Sequence, residues 1–246
     1  MTVHRHRYTP TDPRLGRHIA HDERSRAFAH PEMDASQLQA VEWTRRIPIL
    51  NQGQVGSCTG NALTGVIGTD SAERMASPVV QLRADKKKVF KAGSYRLDES
   101  TALKFYSLNT REDDCDGTYP PDDTGSSSLA AGKSGKAVGL FSGYLHAFSL
   151  LAMQTALQQG AVLIGIPWYQ SMFTPKTDGT LDVDPSSGVA GGHELAVSGW
   201  DKDRFKVDNS WGGPWGDHGS CYVTNQQMQQ FLADGGDCLA PKWAER

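Results

Sequence analysis

The chain has 246 residues, a formal net charge of −3, 38% hydrophobic and 22% charged residues. That composition fits a soluble globular protein of one large domain or two small lobes. Near-neutral charge gives no electrostatic case for a nucleic-acid partner, and no apolar run approaches the roughly 18 residues that a membrane-spanning helix needs.

Residues 1–35 are polar and carry His4, His6, His18, His21 and His30 with six arginines, without a sustained period. They read as an extended arm. Its start, "MTVHRHRYTPTDPRLGRH", lacks the apolar core of a secretory signal. The expected location is therefore the cytoplasm of the producing cell, or release by another route. The scattered histidines do not have metal-ligand spacing, so no metal is expected. "SQLQAVEWTRR" (36–46) reads as a short helix or turn before a strand-like "IPIL" (47–50). From Cys58 to about Ala76, the residues Ala62, Leu63, Val66 and Ile67 recur at helical spacing. Gly60, Gly65 and Gly68 weaken propensity there, so packing must hold that helix.

"STALKFYSL" (100–108) predicts another helix. Residues 111–136 are rich in Asp, Gly, Pro and Ser and read as loop. "AFSLLAMQTALQQG" (147–160) predicts a helix with a glycine stop. Then the pattern becomes strand-like: 161–169, 193–200, 204–211 and 219–225. The middle two are joined by the turn "DKD", a hairpin signal. A helical first half thus precedes a β-rich second half. The lysine run at 86–88 reads as a solvated face.

The four cysteines are Cys58, Cys115, Cys221 and Cys238, too few for a disulfide-stapled scaffold. With Cys58 reactive, at most one internal disulfide remains, Cys221–Cys238 or Cys115–Cys238, and reduced thiols are favoured. A thiol attacks only as thiolate, and a helix N-terminus lowers its pKa. "NQGQVGSCTGNAL" (51–63) puts Cys58 at such a position. Gly53 and Gly56 permit a tight turn and close approach of substrate. His193 opens an apolar strand, with Glu194 on its opposite face. Asn209, on the next strand, can hydrogen-bond the imidazole and fix its tautomer. Trp211 can shield that bond from water.

These segments resemble the papain family of cysteine peptidases. "QGQVGSCTGNA" resembles the family's Gln-Gly-x-Cys-Gly-Ser-Cys-Trp motif. "GGHELAVSGW" resembles its histidine strand, and "DNSWGGPWGDHGSCYV" its Asn-Ser-Trp-Gly-x-x-Trp-Gly block. The order is Cys, His, Asn, at the roughly 130–150-residue separations typical of the family. The match covers about residues 43–225.

The resemblance implies an α+β, two-lobed fold: a helical lobe over 43–150, an antiparallel β-barrel-like lobe over 151–246, and a cleft between them. Residues 1–42 would be the arm, and 43–246 the peptidase domain. It implies Cys58 as nucleophile, His193 as general base and acid, Asn209 as its orienter, and Gln52 as side-chain donor of the oxyanion hole. It places Gly165, Gly191 and Gly192 around the pocket for the second side chain before the cut, expected to be roomy, apolar and receptive to Phe or Leu. In "DDTGSS" (122–127), Gly125 and Ser126 are the expected wall that pairs with substrate backbone, and Trp211 borders the site.

The sequence departs from the family at several points. Val55 stands where a disulfide-bonded cysteine is usual, Thr59 replaces a Trp, Asp208 a basic residue and Glu194 a small one. Glu194 and His218 read as structural. A monomer that cuts peptide or protein substrates is expected, with no metal or organic cofactor, and no nucleic-acid or membrane partner. Leu15, Ile19 and Phe28 give the arm apolar anchors, so it is expected to dock on its own cleft and limit activity. Two rival readings are a cell-wall peptide amidase or endopeptidase with the same thiol chemistry, and a non-catalytic binding module on a protease fold.

Overall fold

The computed structural model describes residues 3–245. A small antiparallel pair opens the chain, β1 (Val3–His6) with β2 (Ile19–Asp22). Next come a short β3 (Val41–Glu42) and α1 (Cys58–Ile67). A second pair, β4 (Val79–Leu82) and β5 (Gly93–Arg96), precedes α2 (Glu99–Glu112) and α3 (Ser128–Ala137). The remainder is β6 (Phe141–Ala147), α4 (Leu150–Leu157), β7 (Val162–Tyr169), β8 (Val189–Trp200), β9 (Arg204–Asp208), β10 (Ser220–Thr224), α5 (Asn225–Ala233) and β11 (Asp237–Trp243).

The main sheet runs in the order β10-β9-β8-β7-β11-β6, with β3 pairing β8. All its pairings are antiparallel, as expected, but the sheet is open and does not close into a barrel. Strand β7 is buried at every position and β8 at all but its first. Side chains alternate along them between two cores. Val162, Ile164, Ile166, Leu195 and Val197 face α4 and α5, joining Met153, Leu157, Met228 and Phe231. Leu163 and Ala196, with Leu239 of β11, face the other way and pack with Leu63, Val66 and Ile67 of α1 and Phe105 and Leu108 of α2. Burial on both faces is why these strands read as nearly continuous apolar runs.

Helix α1 is buried throughout. A Cβ on Gly60 would fall 2.3 Å from the Ala102 carbonyl oxygen, so glycine lets α1 and α2 approach at the cost of propensity. The helix stops at Ile67, earlier than the pattern to Ala76 suggested. Gly68 caps it, and Asp70 turns to pair with Arg46. In the stretch expected to be loop, α3 forms. Ser127 caps it through Ala130 N, and a Cβ on Gly135 would meet the Phe141 ring at 2.2 Å. Its Gly and Ser residues serve close packing, which local propensity does not register. Strands β6 and β11 carry little alternation and were not expected; β11 lies between β7 and β6. All four cysteines are free.

Candidate active site

Cys58 is the first residue of α1, fully buried, immediately after the cap position Ser57. The backbone N–H groups of Glu194, Gly16 and Thr59 lie close enough to the thiol to favour the thiolate. Burial outweighs them, and with the nearby Glu194 charge it pushes the thiol up to about 12.

His193 lies on β8, fully buried, facing the opposite side of the sheet from Glu194. Its Nε2–H donates to Asn209 Oδ1 over 2.7 Å. An amide oxygen only accepts, so this bond fixes the proton on Nε2 and leaves Nδ1 as the basic nitrogen. Nδ1 is buried and has no hydrogen-bond partner among the described residues. The ring sits between Trp168 and Trp211, with centroids 4.9 and 5.0 Å away. Burial holds the imidazole down at about 4; the Asn209 bond opposes that and the Arg14 charge adds to it. Burial thus favours the neutral form of both Cys58 and His193 in this state.

Asn209 stands just beyond β9, where its N–H reaches the Gly219 carbonyl. Its Oδ1 also accepts from Ser210 N over 2.8 Å. Ser210 links it to Gln52: Ser210 Oγ–H donates to Gln52 Oε1 over 2.6 Å, and Gln52 N–H donates to the Ser210 carbonyl over 2.9 Å. That orientation turns the Gln52 Nε2 donors toward the carbonyls of Val55 (2.7 Å) and Arg14 (3.0 Å). Ser210 was quoted only as part of a motif in the sequence. Its role as a coupler needs the fold.

The remaining candidate residues share a neighbour. Residues 14–17 of the N-terminal segment touch every one of them. The Arg14 guanidinium stacks 4.0 Å from the Trp211 ring centroid. Leu15 packs where a side chain on Gly191 would lie. Gly16 O accepts from Ser126 N over 2.7 Å and lies against Gly125. Arg17 N–H donates to the Gly192 carbonyl over 3.0 Å, and His18 N–H to the Ser126 carbonyl over 2.7 Å. Gly16 is so close to the turn before Cys58 that a Cβ on it would sit 1.8 Å from Gly56 O.

Gly165 and Gly192 share a face of the sheet and both border Arg17, whereas Gly191 lies on the other face against Leu15 and Pro10; the surroundings of Gly165 are not apolar. Gly165 pairs with Glu194 on one side and Asp237 on the other. The Arg17 side chain fills the space between them, its Nη2 bonded to Asp237 Oδ1 at 2.6 Å. Arg17 and Asp237 carried no signal in the sequence; Glu194 was visible only as a departure from a small residue.

A family model described as papain family cysteine protease matches residues 38–234. No curated protein matches the sequence. Among solved structures, xylellain, a cysteine protease from Xylella fastidiosa, is similar at TM-score 0.62 and 18% identity, over 99% of this chain and 100% of that one. ProCathepsin B S9 from Trypanosoma congolense is similar at TM-score 0.59 and 14% identity, over 95% and 88% of the two chains. Digestive procathepsin L 3 of Tenebrio molitor larval midgut is similar at TM-score 0.51 and 19% identity, over 87% and 74%.

Proposed function

The chain belongs to the papain family of cysteine proteases and is a cysteine peptidase, and from that premise we propose that it is an endopeptidase working through Cys58, His193, Asn209 and Gln52, held latent by its own residues 14–17. The observation that carries the catalytic reading is the 2.7 Å bond from His193 Nε2 to Asn209 Oδ1, which leaves a single unpaired base nitrogen on the residue next to Glu194, whose backbone N–H is close to the helix-terminal thiol of Cys58.

In this mechanism His193 Nδ1 takes the Cys58 proton. The thiolate then attacks the substrate carbonyl carbon, and the carbonyl π pair moves to oxygen. The N–H of Cys58 and the Nε2 amide of Gln52 stabilise that oxyanion. Collapse expels the amine, which takes the proton from the imidazolium and leaves a thioester on Cys58. A water then loses a proton to Nδ1 and attacks the thioester. The acid departs, and the proton returns to the sulfur. Asn209 keeps Nδ1 aimed through both halves, and Ser210 keeps the Gln52 amide aimed with it.

Latency follows from the same chemistry. The Arg14 carbonyl occupies the Gln52 donor, Gly16 lies over the thiol, and burial by this segment favours the neutral forms of both Cys58 and His193. A tethered segment is present at an effective concentration near the millimolar range, so weak docking suffices. Residues 1–42 would then be a regulatory arm on a peptidase domain of 43–246.

The test is hydrolysis of an unfolded polypeptide followed by mass spectrometry, with a peptidyl epoxide as the thiol probe. Cleavage and epoxide mass on Cys58 are expected, and Cys58→Ala should lose both while keeping its melting temperature. Cleavage that survives in Cys58→Ala, or equal labelling of Cys115, Cys221 and Cys238, would reject the assignment.

A further inference from the structure

The hollow filled by Arg17 is built from one row across three strands. Glu194 of β8 is opposite Gly165 of β7, and Gly165 is opposite Asp237 of β11. Residues in one such row project to the same face. Two carboxyls therefore flank a position with no side chain. A Cβ on Gly165 would lie 2.5 Å from Arg17 Nε, 2.6 Å from Asp237 Oδ1 and 2.6 Å from Ser128 Oγ. The absent side chain is the pocket.

Its charge is negative without Arg17. Ser128, the first residue of α3, lies 2.6 Å from Glu194 Oε2 and 2.7 Å from Asp237 Oδ1. One hydroxyl hydrogen cannot serve two carboxylates, so one of the acids carries a proton. Glu194 is the buried member, and burial with the Asp237 charge raises its pKa. Asp237 is then the carboxylate that pairs with the fully buried Arg17, whose Nη2 also donates to the Gly235 carbonyl over 2.9 Å. With Arg17 withdrawn, Asp237 keeps an uncompensated charge in a half-enclosed space, and Glu194 Oε1 has no partner among the described residues even with Arg17 present. An apolar side chain would leave the Asp237 charge uncompensated and Glu194 Oε1 without a partner, which is costly.

The backbone of the same residue is held as a peptide would be. Arg17 N–H donates to Gly192, and the flanking Gly16 carbonyl and His18 N–H bond to Ser126. Arg17 is one residue from Gly16, which covers the thiol.

We propose that Glu194 and Asp237 make this a pocket for a basic side chain, so that the enzyme prefers substrates with Arg or Lys next to the residue at the cut, and that Arg17 is an internal copy of that side chain. This rests on the peptidase reading above and replaces the apolar pocket expected from the three glycines. The arm uses the recognition that a substrate would use, which ties specificity and latency to one pair of acids.

The test uses the full chain carrying Arg17→Ala, which lacks its own plug. Two fluorogenic substrates, benzyloxycarbonyl-Arg-Gly-aminomethylcoumarin and its Leu-Gly counterpart, are compared by kcat/KM, with hydrolysis of an unfolded polypeptide as a separate control. The Arg substrate should lead by about 10²-fold or more, less than the roughly 10⁴–10⁵ of a site whose polar groups are fully stranded, because the partly exposed Asp237 can rehydrate. Asp237→Asn in the same background should collapse that ratio toward one. Glu194→Gln provides a second variant should Asp237→Asn fail to fold, and the ratio in Arg17→Ala alone already decides. Equal rates, or a Leu preference, would overturn the pocket assignment while leaving the peptidase intact. Loss of cleavage on every substrate, the unfolded polypeptide included, in a chain whose Cys58 is nevertheless alkylated by the epoxide would instead overturn the peptidase reading and the pocket with it.

Discussion

His193 and Glu194 are neighbours on β8, and the two regions they enter differ in kind. His193 turns into an aromatic box where Asn209, Trp168 and Trp211 hold a neutral ring. Glu194 turns the other way into a polar hollow shared with Ser128, Asp237 and Arg17. One residue step separates the proposed reaction site from the proposed recognition site because a strand alternates its faces. The catalytic side is assembled from contiguous motifs. The recognition side is assembled from three strands, a helix start and the N-terminal segment, each with an ordinary local sequence.

The largest effect should fall on the catalytic side alone. Gln52→Ala should lower kcat by roughly 10²–10³, the usual loss for one oxyanion donor, with little change in KM. A change confined to KM would move Gln52 from the reaction to binding. The Arg-over-Leu ratio should not respond, since Gln52 does not reach the hollow, and a large change in that ratio would show that the two regions are not separable.

Next in size is an effect that crosses from one region to the other. Arg17→Ala removes the ion pair that seats the segment, so the thiol should open more often. Alkylation of Cys58 by a small epoxide at pH 7 should accelerate about 10- to 10²-fold, a range below the full cost of breaking a buried pair because Asp237 can rehydrate. The pH profile sharpens this. In the covered chain the thiol stands near 12 and the imidazole near 4, so alkylation should climb with pH through neutrality. In the uncovered chain solvent lowers the first and raises the second, so the profile should flatten. Identical rates and profiles in both chains would detach the segment from latency.

The smallest effect belongs to the recognition side. Glu194 faces Asp237 and Arg17, with the Cys58 and Cys238 thiols close by, and burial with the Asp237 charge raises its folded pKa well above the usual carboxyl range. A carboxyl held protonated in the fold favours it fully below the unfolded pKa. That contribution is lost as pH rises from there through the raised value. Glu194→Gln should therefore gain a few degrees of melting temperature relative to the parent at pH 8, and little at pH 4, by calorimetry. A gain of equal size at both pH values would mean that Glu194 is not the protonated member of the pair.

Much of the catalytic side was legible before any coordinates. Cys58, His193 and Asn209 stand within recognisable segments, and Gln52 precedes the thiol by a fixed turn. Helices α1, α2 and α4 and strands β7 to β10 could be read because their periodicity, caps and turn residues are local. Helix α3 was not, because its Gly and Ser residues look like loop until Phe141 is seen against Gly135. Strand β11 was not, because "DCLAPKW" alternates weakly.

By itself, then, the sequence determined the family and the reaction type, and it placed the proposed catalytic groups in order, since those depend on residue types within short motifs. Tertiary structure decided what surrounds Gly165 and what lies against Gly192 and Ser126. Asp237 meets Gly165 only through the register of β11 on β7, and Arg17 meets Asp237 only because the N-terminal segment lies along Gly192 and Ser126. Charge complementarity between residues 220 positions apart leaves no local trace. It exists only once strand order and register have been set by the burial of both faces of the central sheet.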